Sequence, residues 1–290
     1  MPTRVIDVDI QNGSNEVRLF HPPKGYNFPY VALSHCWGTS KVPISCKTTR
    51  GNILNHQKQI LTSNLPSTFQ DAVYIARKLN IRYLWIDSLC IIQDDADDWE
   101  IESAKMASIY QNAYLTIAAT ASASSQDSLL NPRLPATSLR KSPLLRRAWA
   151  FQEMILSPRV LHFAEDQLYW QCRNDLFSED GLVRLVSPLQ SNFRSGKFIS
   201  QDEYGGYKLW WEWIQVYSTL GLSHTGDKAA ALAGLTNMYL KTREAGDQPL
   251  AGLWRNDLHF GLLWYSVGSR RLTYLDHVPS WSWFKVDGPI

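Results

Sequence analysis

LNIRYLWIDSLCIIQDDADDWEIESAKMASIY, residues Leu79–Tyr110, carries the first evidence of fold class. An unbroken apolar run, Tyr83–Ile86, leads straight into Asp87. Strands of this kind are covered on both faces, the condition of a parallel sheet. A polar turn, Gln93–Asp98, then launches a helix predicted over Trp99–Asn112, with Asp98 capping its first amides. In open parallel sheets ligands bind beyond the carboxyl ends of the strands, which is where Asp87 would sit.

Upstream, Val5–Asp9 and Glu16–Phe20 alternate apolar and polar residues around a turn at Asn12–Gly13, a hairpin pattern. Tyr30–Leu33 is a strand ending at Ser34, His35, Cys36, Trp37 and Gly38. Pro66 and Ser67 open a helix that runs through Lys78. Downstream, Tyr114–Ala118 is rich in β-favouring residues. The order strand, helix, strand, helix, strand with short connections is that of a βαβ sheet with helices on its faces. Thr120–Ser142 reads as an exposed loop. Arg147–Leu156 is helical, and Val160–Phe163 and Gln167–Cys172 are strand-like. Asp175–Ser200 is irregular. Tyr207–Leu220 and Lys228–Glu244 look helical, Leu250–Leu263 is apolar and aromatic, and the last ten residues read as a strand and a turn. The expected organisation is α/β: a parallel sheet domain over residues 1–173, and a mostly helical, Trp-rich region over 174–290 packed on it.

Apolar residues make up 44% of the 290 and charged residues 19%, ordinary for a globular protein with a full core. A net charge of +2 gives no reason to expect nucleic acid or an acidic membrane as partner. Arg4, Asp7 and Asp9 interrupt the start of the chain, which argues against a secretory signal and for the cytoplasm. Cys36, Cys46, Cys90 and Cys172 form no C-x-x-C pair, so no metal site is expected and reduced thiols are the default. The twelve tryptophans point to a large, well-packed core.

Several side chains have the chemistry of a site. Glu102, near the predicted helix start with Trp99 three residues before it, suits a general acid/base or a stabiliser of a developing cation. The alternative is a carboxylate that only complements the helix dipole or pairs with Lys105 or Lys78. Asp87 either caps a turn or orients a ribose hydroxyl or a catalytic partner. His35 and Cys36, adjacent on a strand, point to opposite faces and cannot form a dyad. Trp149, Gln152 and Glu153 share one helix face, which either lines a pocket or anchors a neighbouring backbone. No glycine-rich phosphate loop and no G-x-S-x-G elbow occurs.

Three segments together resemble the fungal heterokaryon-incompatibility (HET) domain. They are YVALSHCWG (Tyr30–Gly38), the long stretch from LPSTFQDAVYIARKLNIRYLWIDSLC to SIYQNA (Leu65–Ala113), and RAWAFQEMILSPRVLHF (Arg147–Phe163). DKAAALAGL (Asp227–Leu235), LAGLW (Leu250–Trp254) and PSWSW…DGPI (Pro279–Ile290) are similar to segments that follow the domain, so the resemblance covers nearly the whole chain. Ala150 departs from it, standing where threonine is common, and the loop Thr120–Ser142 is shorter than in many members.

The resemblance implies a cytoplasmic protein of fungal non-self recognition and programmed cell death. It also implies a TIR-like, flavodoxin-like parallel sheet, since HET domains are distantly similar to TIR domains, some of which cleave NAD. There a glutamate in a W-x-x-E setting carries catalysis, and Glu102 of Trp99–Glu102 is the matching position. On this reading Glu102 and Asp87 are catalytic, and Ser34, His35, Trp37, Trp99, Trp149 and Glu153 bind substrate. No cofactor is required, NAD being the substrate. The expected partner is a small molecule or nucleotide, with self-association as a further option. Two other functions stay open: an acid/base enzyme recruited to fungal small-molecule biosynthesis, and a non-enzymatic module that signals by oligomerising.

Overall fold

The computed structural model describes residues 1–8, 14–38, 46–133, 142–173, 175–186, 206–268, 271–272 and 278–290. The expected turn at Asn12–Gly13, residues 134–141 of the long loop and residues 187–200 of the irregular stretch lie outside the described residues. The chain divides into two compact units: residues 1–144, 157–172 and 176–185 in the first, and 145–156, 173–175 and 186–290 in the second.

A ten-stranded mixed sheet organises the first unit. Its strands are β1 (Val5–Asp7), β2 (Glu16–Phe20), β3 (Tyr30–Ser34), β4 (Ile60–Leu61), β5 (Tyr83–Trp85), β6 (Leu115–Ala118), β7 (Arg159–Phe163), β8 (Leu168–Cys172), β9 (Asp175–Ser178) and β10 (Arg184–Val186). They lie in the order β10-β9-β8-β7-β6-β3-β5-β1-β2-β4. β3 is parallel to β5 and β6, and β6 to β7. β1 continues the sheet beyond β5 antiparallel, as β8 and β9 do beyond β7. Taken in chain order, the four parallel strands sit as second, first, third, fourth, the flavodoxin-like arrangement. Every residue of β3, β5 and β6 is buried, as the apolar runs predict.

Among the described residues, four α-helices of the first unit are inserted between these strands: α1 (Ile53–Lys58), α2 (Ser67–Lys78), the single turn α3 (Asp87–Cys90) and α4 (Ala96–Asn112). The β3-to-β5 and β5-to-β6 crossovers move in opposite directions across the sheet, so right-handed connections put α2 and α4 on opposite faces. α2 starts immediately after Pro66, whose missing N–H costs nothing at a helix start. It buries Phe69, Ala72, Val73 and Ala76. α4 is bolted to β3 by two phenols: Tyr110 donates to the Leu33 carbonyl at 3.1 Å and Tyr30 to the Ile109 carbonyl at 2.5 Å.

Two sequence expectations need correction here. α4 begins one turn earlier than predicted, because Asp95, not Asp98, caps it by accepting the Asp98 N–H at 3.2 Å. The acid-rich run offers several caps; Asp95 is also paired with Arg50 at 3.0 Å, which holds its carboxyl below the usual range. The second correction is β9 and β10, which occupy part of the stretch expected to be irregular. Their turn holds Asp180–Gly181, a hairpin signal, with the Asp180 carboxylate accepting from Ser178 Oγ and the Leu182 N–H.

The second unit is mostly helical and Trp-rich. It comprises α5 (Ala148–Leu156), α6 (Lys208–Tyr217), α7 (Lys228–Leu240), α8 (Leu258–Gly261) and two short antiparallel pairs, β11 (Pro249–Leu250) with β12 (Leu253–Trp254) and β13 (Arg271–Leu272) with β14 (Val286–Asp287). Trp210, Trp213, Trp254 and Trp283 are fully buried. The indole N–H groups of Trp210 and Trp283 converge on the Gly252 carbonyl at 3.2 and 3.0 Å. Gly252 has φ +89°, and a Cβ there would lie 2.5 Å from Trp283 Nε1. Gly252→Ala therefore combines left-handed backbone strain with a buried clash, and should destabilise by about 2 kcal/mol. A lowered urea midpoint at unchanged slope would be the sign; an unmoved midpoint would mean the indole can step aside.

Candidate functional site at the strand ends

The neighbouring strands β3 and β6 leave the sheet through loops that pack against each other. Gly38 has φ +93°, and a Cβ on it would come within 2.7 Å of Ser124 Cβ. Ser125 Oγ donates to the Trp37 carbonyl at 3.4 Å. The second loop is self-braced: the Asp127 carboxylate accepts the N–H groups of Ala123 and Ser124, both at 2.8 Å. Thr68, in the first turn of α2, donates to the Asp127 carbonyl at 2.6 Å. The glycine of the SHCWG segment is thus required by close backbone approach at the point where strand order reverses.

Asp87 is the hub of this edge. It opens α3 directly after β5; its Oδ1 accepts the Ser88 N–H at 2.6 Å and its Oδ2 accepts the Trp37 indole N–H at 2.9 Å. His35 Nδ1 stands 3.8 Å from Oδ1, and the buried imidazole meets Phe69 edge-on at 4.9 Å between ring centres. Lys47 Nζ lies over the Trp37 ring, 5.2 Å from its centre. The Ser34 and Ser88 hydroxyls are buried with no hydrogen-bond partner among the described residues. His35, Trp37 and Asp87 are therefore brought together, with Ser34 at the end of β3 beside them. Asp87 performs the turn-capping role and still presents a carboxylate to a partner.

Glu102 has a different set of neighbours. Its Oε1 accepts from Thr3 Oγ1 at 2.6 Å and from Lys105 Nζ at 2.8 Å, and Lys105 also reaches Thr3 Oγ1 at 2.8 Å. Oε2 is buried with no hydrogen-bond partner among the described residues. Because α4 begins at Ala96, Glu102 lies past the first turn, where the dipole's influence has faded. Trp99 is exposed while Glu102 is buried, so the two do not share an environment as their spacing suggested. The same N-terminal segment supplies Arg4, which grips both Asp98 oxygens at 2.7 and 2.5 Å and donates through Nε to the Cys90 carbonyl at 2.6 Å. Asp98 Oδ2 also accepts the Ile92 N–H at 2.8 Å. The result is a clasp of residues 3–4 onto α3 and α4. Cys90 beneath it is fully buried, and burial pushes its thiol up to about 12, away from nucleophilic chemistry.

Trp149 and Glu153 belong to the second unit, on α5. The Trp149 indole donates to Asp227 Oδ2 at 3.4 Å, and Glu153 is buried. Their neighbour Gln152 accepts the Gly234 N–H of α7 at 2.7 Å, one of the two roles expected of this face.

Beside the β6 exit, His162 on β7 is buried between Thr120 Oγ1, 3.0 Å from Nδ1, and Gln171 Oε1, 2.9 Å from Nε2. The amide oxygen can only accept, so Nε2 carries the proton and Nδ1 accepts from the threonine. Burial pushes the pKa down to about 4 from an ordinary 6.5. Between those values the unfolded chain binds the extra proton, so stability should rise with pH across that window and fall as pH drops from 6.5 toward 4. Comparing urea midpoints at pH 4.5 and 7 should show a smaller difference in His162→Gln than in the native chain. An equal difference would place the pH dependence elsewhere.

Among the described residues no three His, Cys, Asp or Glu side chains are placed to hold a metal ion, and no helix is long and apolar enough to cross a membrane. Neither curated proteins nor solved structures give a significant match to the chain. A family description does match: residues 30–138, from the first residue of β3 through β6 and into the loop beyond it, fit the heterokaryon incompatibility protein (HET) model. That span contains all of the Asp87 hub, Glu102 and the two packed exit loops. Residues 30–138 thus carry a heterokaryon incompatibility (HET) domain, and the strand-end site of the first unit lies within it.

Proposed function

We propose that this HET domain acts in the cytoplasm in non-self recognition and cell death by binding NAD, or a related nucleotide, at the Asp87 hub and cleaving the bond to nicotinamide. The observation that carries the reading is Asp87 itself: a carboxylate held by the Trp37 indole and facing His35, at the carboxyl ends of parallel strands in flavodoxin-like order. Cleavage of a nicotinamide–ribose bond sends the electron pair to the leaving ring and leaves a cationic ribosyl carbon, which water then captures. A carboxylate beside that carbon, or holding the ribose hydroxyls, stabilises the charge as it forms.

Of the two acids named from sequence, Asp87 is the accessible one, with a side chain 24% exposed against 2% for Glu102. The assignment therefore gives Asp87 the contact with substrate and His35 the task of orienting it. Glu102 is placed in the clasp. Nicotinamide release from NAD by the purified chain, measured over a range of protein concentrations, tests the function. Release that rises faster than linearly with protein would add self-assembly to the mechanism. No release at any concentration would turn the reading toward biosynthetic acid/base chemistry or a purely signalling module.

A further inference from the structure

We infer that Lys47 is the anion-reading residue of the strand-end site, and that the ligand it recognises carries a diphosphate. The inference rests on this edge holding a ligand, and stands whether or not that ligand is hydrolysed. The edge is crowded with acids: Asp87, Asp94, Asp95, Asp97, Asp98, Glu100 and Glu102 follow one another within sixteen residues of sequence. The other cations described around it are tied to one of them, Arg4 to Asp98, Arg50 to Asp95 and Lys105 to Glu102.

Among the described residues, Lys47 has no such acid. Its ammonium is held over the face of Trp37, at 5.2 Å from the ring centre, and the edge of that indole is pinned to Asp87. A ring face attracts a cation but accepts none of the three N–H groups as a phosphate oxygen does. A lysine serving only the fold would be expected to pair with a carboxylate, as the other three cations do. This one is instead presented beside the hub carboxylate, so that cation and anion flank one indole. That pairing of charges fits a ligand with polyol and phosphate parts, the hydroxyls reading Asp87 and the diphosphate reading Lys47. The segment is also anchored: the Thr48 N–H donates to the Ser88 carbonyl at 2.9 Å and Thr48 Oγ1 to the Leu89 carbonyl at 2.6 Å. Lys47 is thereby fastened to the same turn, α3, that opens with Asp87.

The test is calorimetric titration of the full chain with ADP-ribose and, separately, with inorganic pyrophosphate and with adenosine. Lys47→Met should weaken ADP-ribose binding by about tenfold to a hundredfold, the value of a charge-assisted hydrogen bond. Pyrophosphate binding should be lost with it, and Lys47→Arg should retain most of both. Adenosine, lacking phosphate, should bind native and Lys47→Met proteins alike. Unchanged melting temperatures check that each variant is folded. ADP-ribose affinity equal in native and Lys47→Met proteins, or no binding of ADP-ribose or pyrophosphate by the native chain, overturns the inference. Lys47-dependent binding of ADP-ribose without nicotinamide release from NAD would uphold it while rejecting the hydrolase reading.

Discussion

Asp87→Asn is expected to reduce nicotinamide release at least about a hundredfold while moving the urea midpoint only slightly. The two effects separate because the carboxylate has two jobs of unequal sensitivity. Structurally it accepts two N–H groups, from Ser88 and from the Trp37 indole, one on each oxygen. Asparagine keeps one acceptor and turns an amide toward the other donor, a loss of about 1 kcal/mol that partial exposure softens. Chemically it is the anion set against developing positive charge, and a neutral amide removes that stabilisation outright, about 3 kcal/mol for a hundredfold. Glu102→Gln is the companion variant. Its ion partner Lys105 is 40% exposed and can turn to water, and a neutral amide is less costly to bury than a carboxylate with one oxygen unpartnered. Folding of Glu102→Gln should be near native. If turnover collapses in Glu102→Gln and survives in Asp87→Asn, the reaction belongs to Glu102 and the assignment made from exposure is wrong.

Local patterns made much of this fold legible. The start of α2 was readable because Pro66 and Ser67 punctuate the chain, and β5 because Tyr83–Ile86 is too apolar to face water on either side. The position of Asp87 followed from that strand, since what comes after a buried strand must lie at the sheet's edge. Glu102 was legible as a carboxylate on a helix but not as a member of a clasp. Its partner Thr3 is 99 residues away and that of Asp98, Arg4, is 94 away. Helical periodicity reports which face is apolar and carries no information about which distant segment crosses it. Lys47 was missed for a similar reason: in SCKTT it resembles any loop lysine until the fold sets it on Trp37. The α4 cap was misplaced because four aspartates within five residues all satisfy the local rule, and only tertiary partners, Arg50 for Asp95 and Arg4 for Asp98, divide the roles among them.

The clasp has its own consequence. Arg4→Met is expected to cost about 3–5 kcal/mol, as removal of one partner of a buried ion pair does. The guanidinium side chain is 4% exposed and Asp98 16%, so water can do little to replace the lost contact. Methionine fills much of the space but leaves Asp98 with the Ile92 N–H as its remaining described donor, and the Cys90 carbonyl without the Arg4 Nε–H. If the penalty is mainly the stranded charge, adding Asp98→Asn should recover part of it, because the amide still accepts from Ile92 and carries no charge to bury. Arg4→Lys should fall between, keeping the charge and losing the two-pronged grip. The urea midpoints of the native chain, Arg4→Met, Asp98→Asn and the double variant make a double-mutant cycle; a cost below about 1 kcal/mol for Arg4→Met would mean the pair is effectively solvated. The same variant reaches the site through the backbone. Arg4 holds the Cys90 carbonyl at the end of α3, and α3 is the single turn that begins with Asp87. A loosened turn would let the Asp87 carboxylate drift from the Trp37 indole, so Arg4→Met should also lower turnover under conditions where the chain remains folded. Asp98→Asn alone should lower it less, since Arg4 can keep its hold on Cys90.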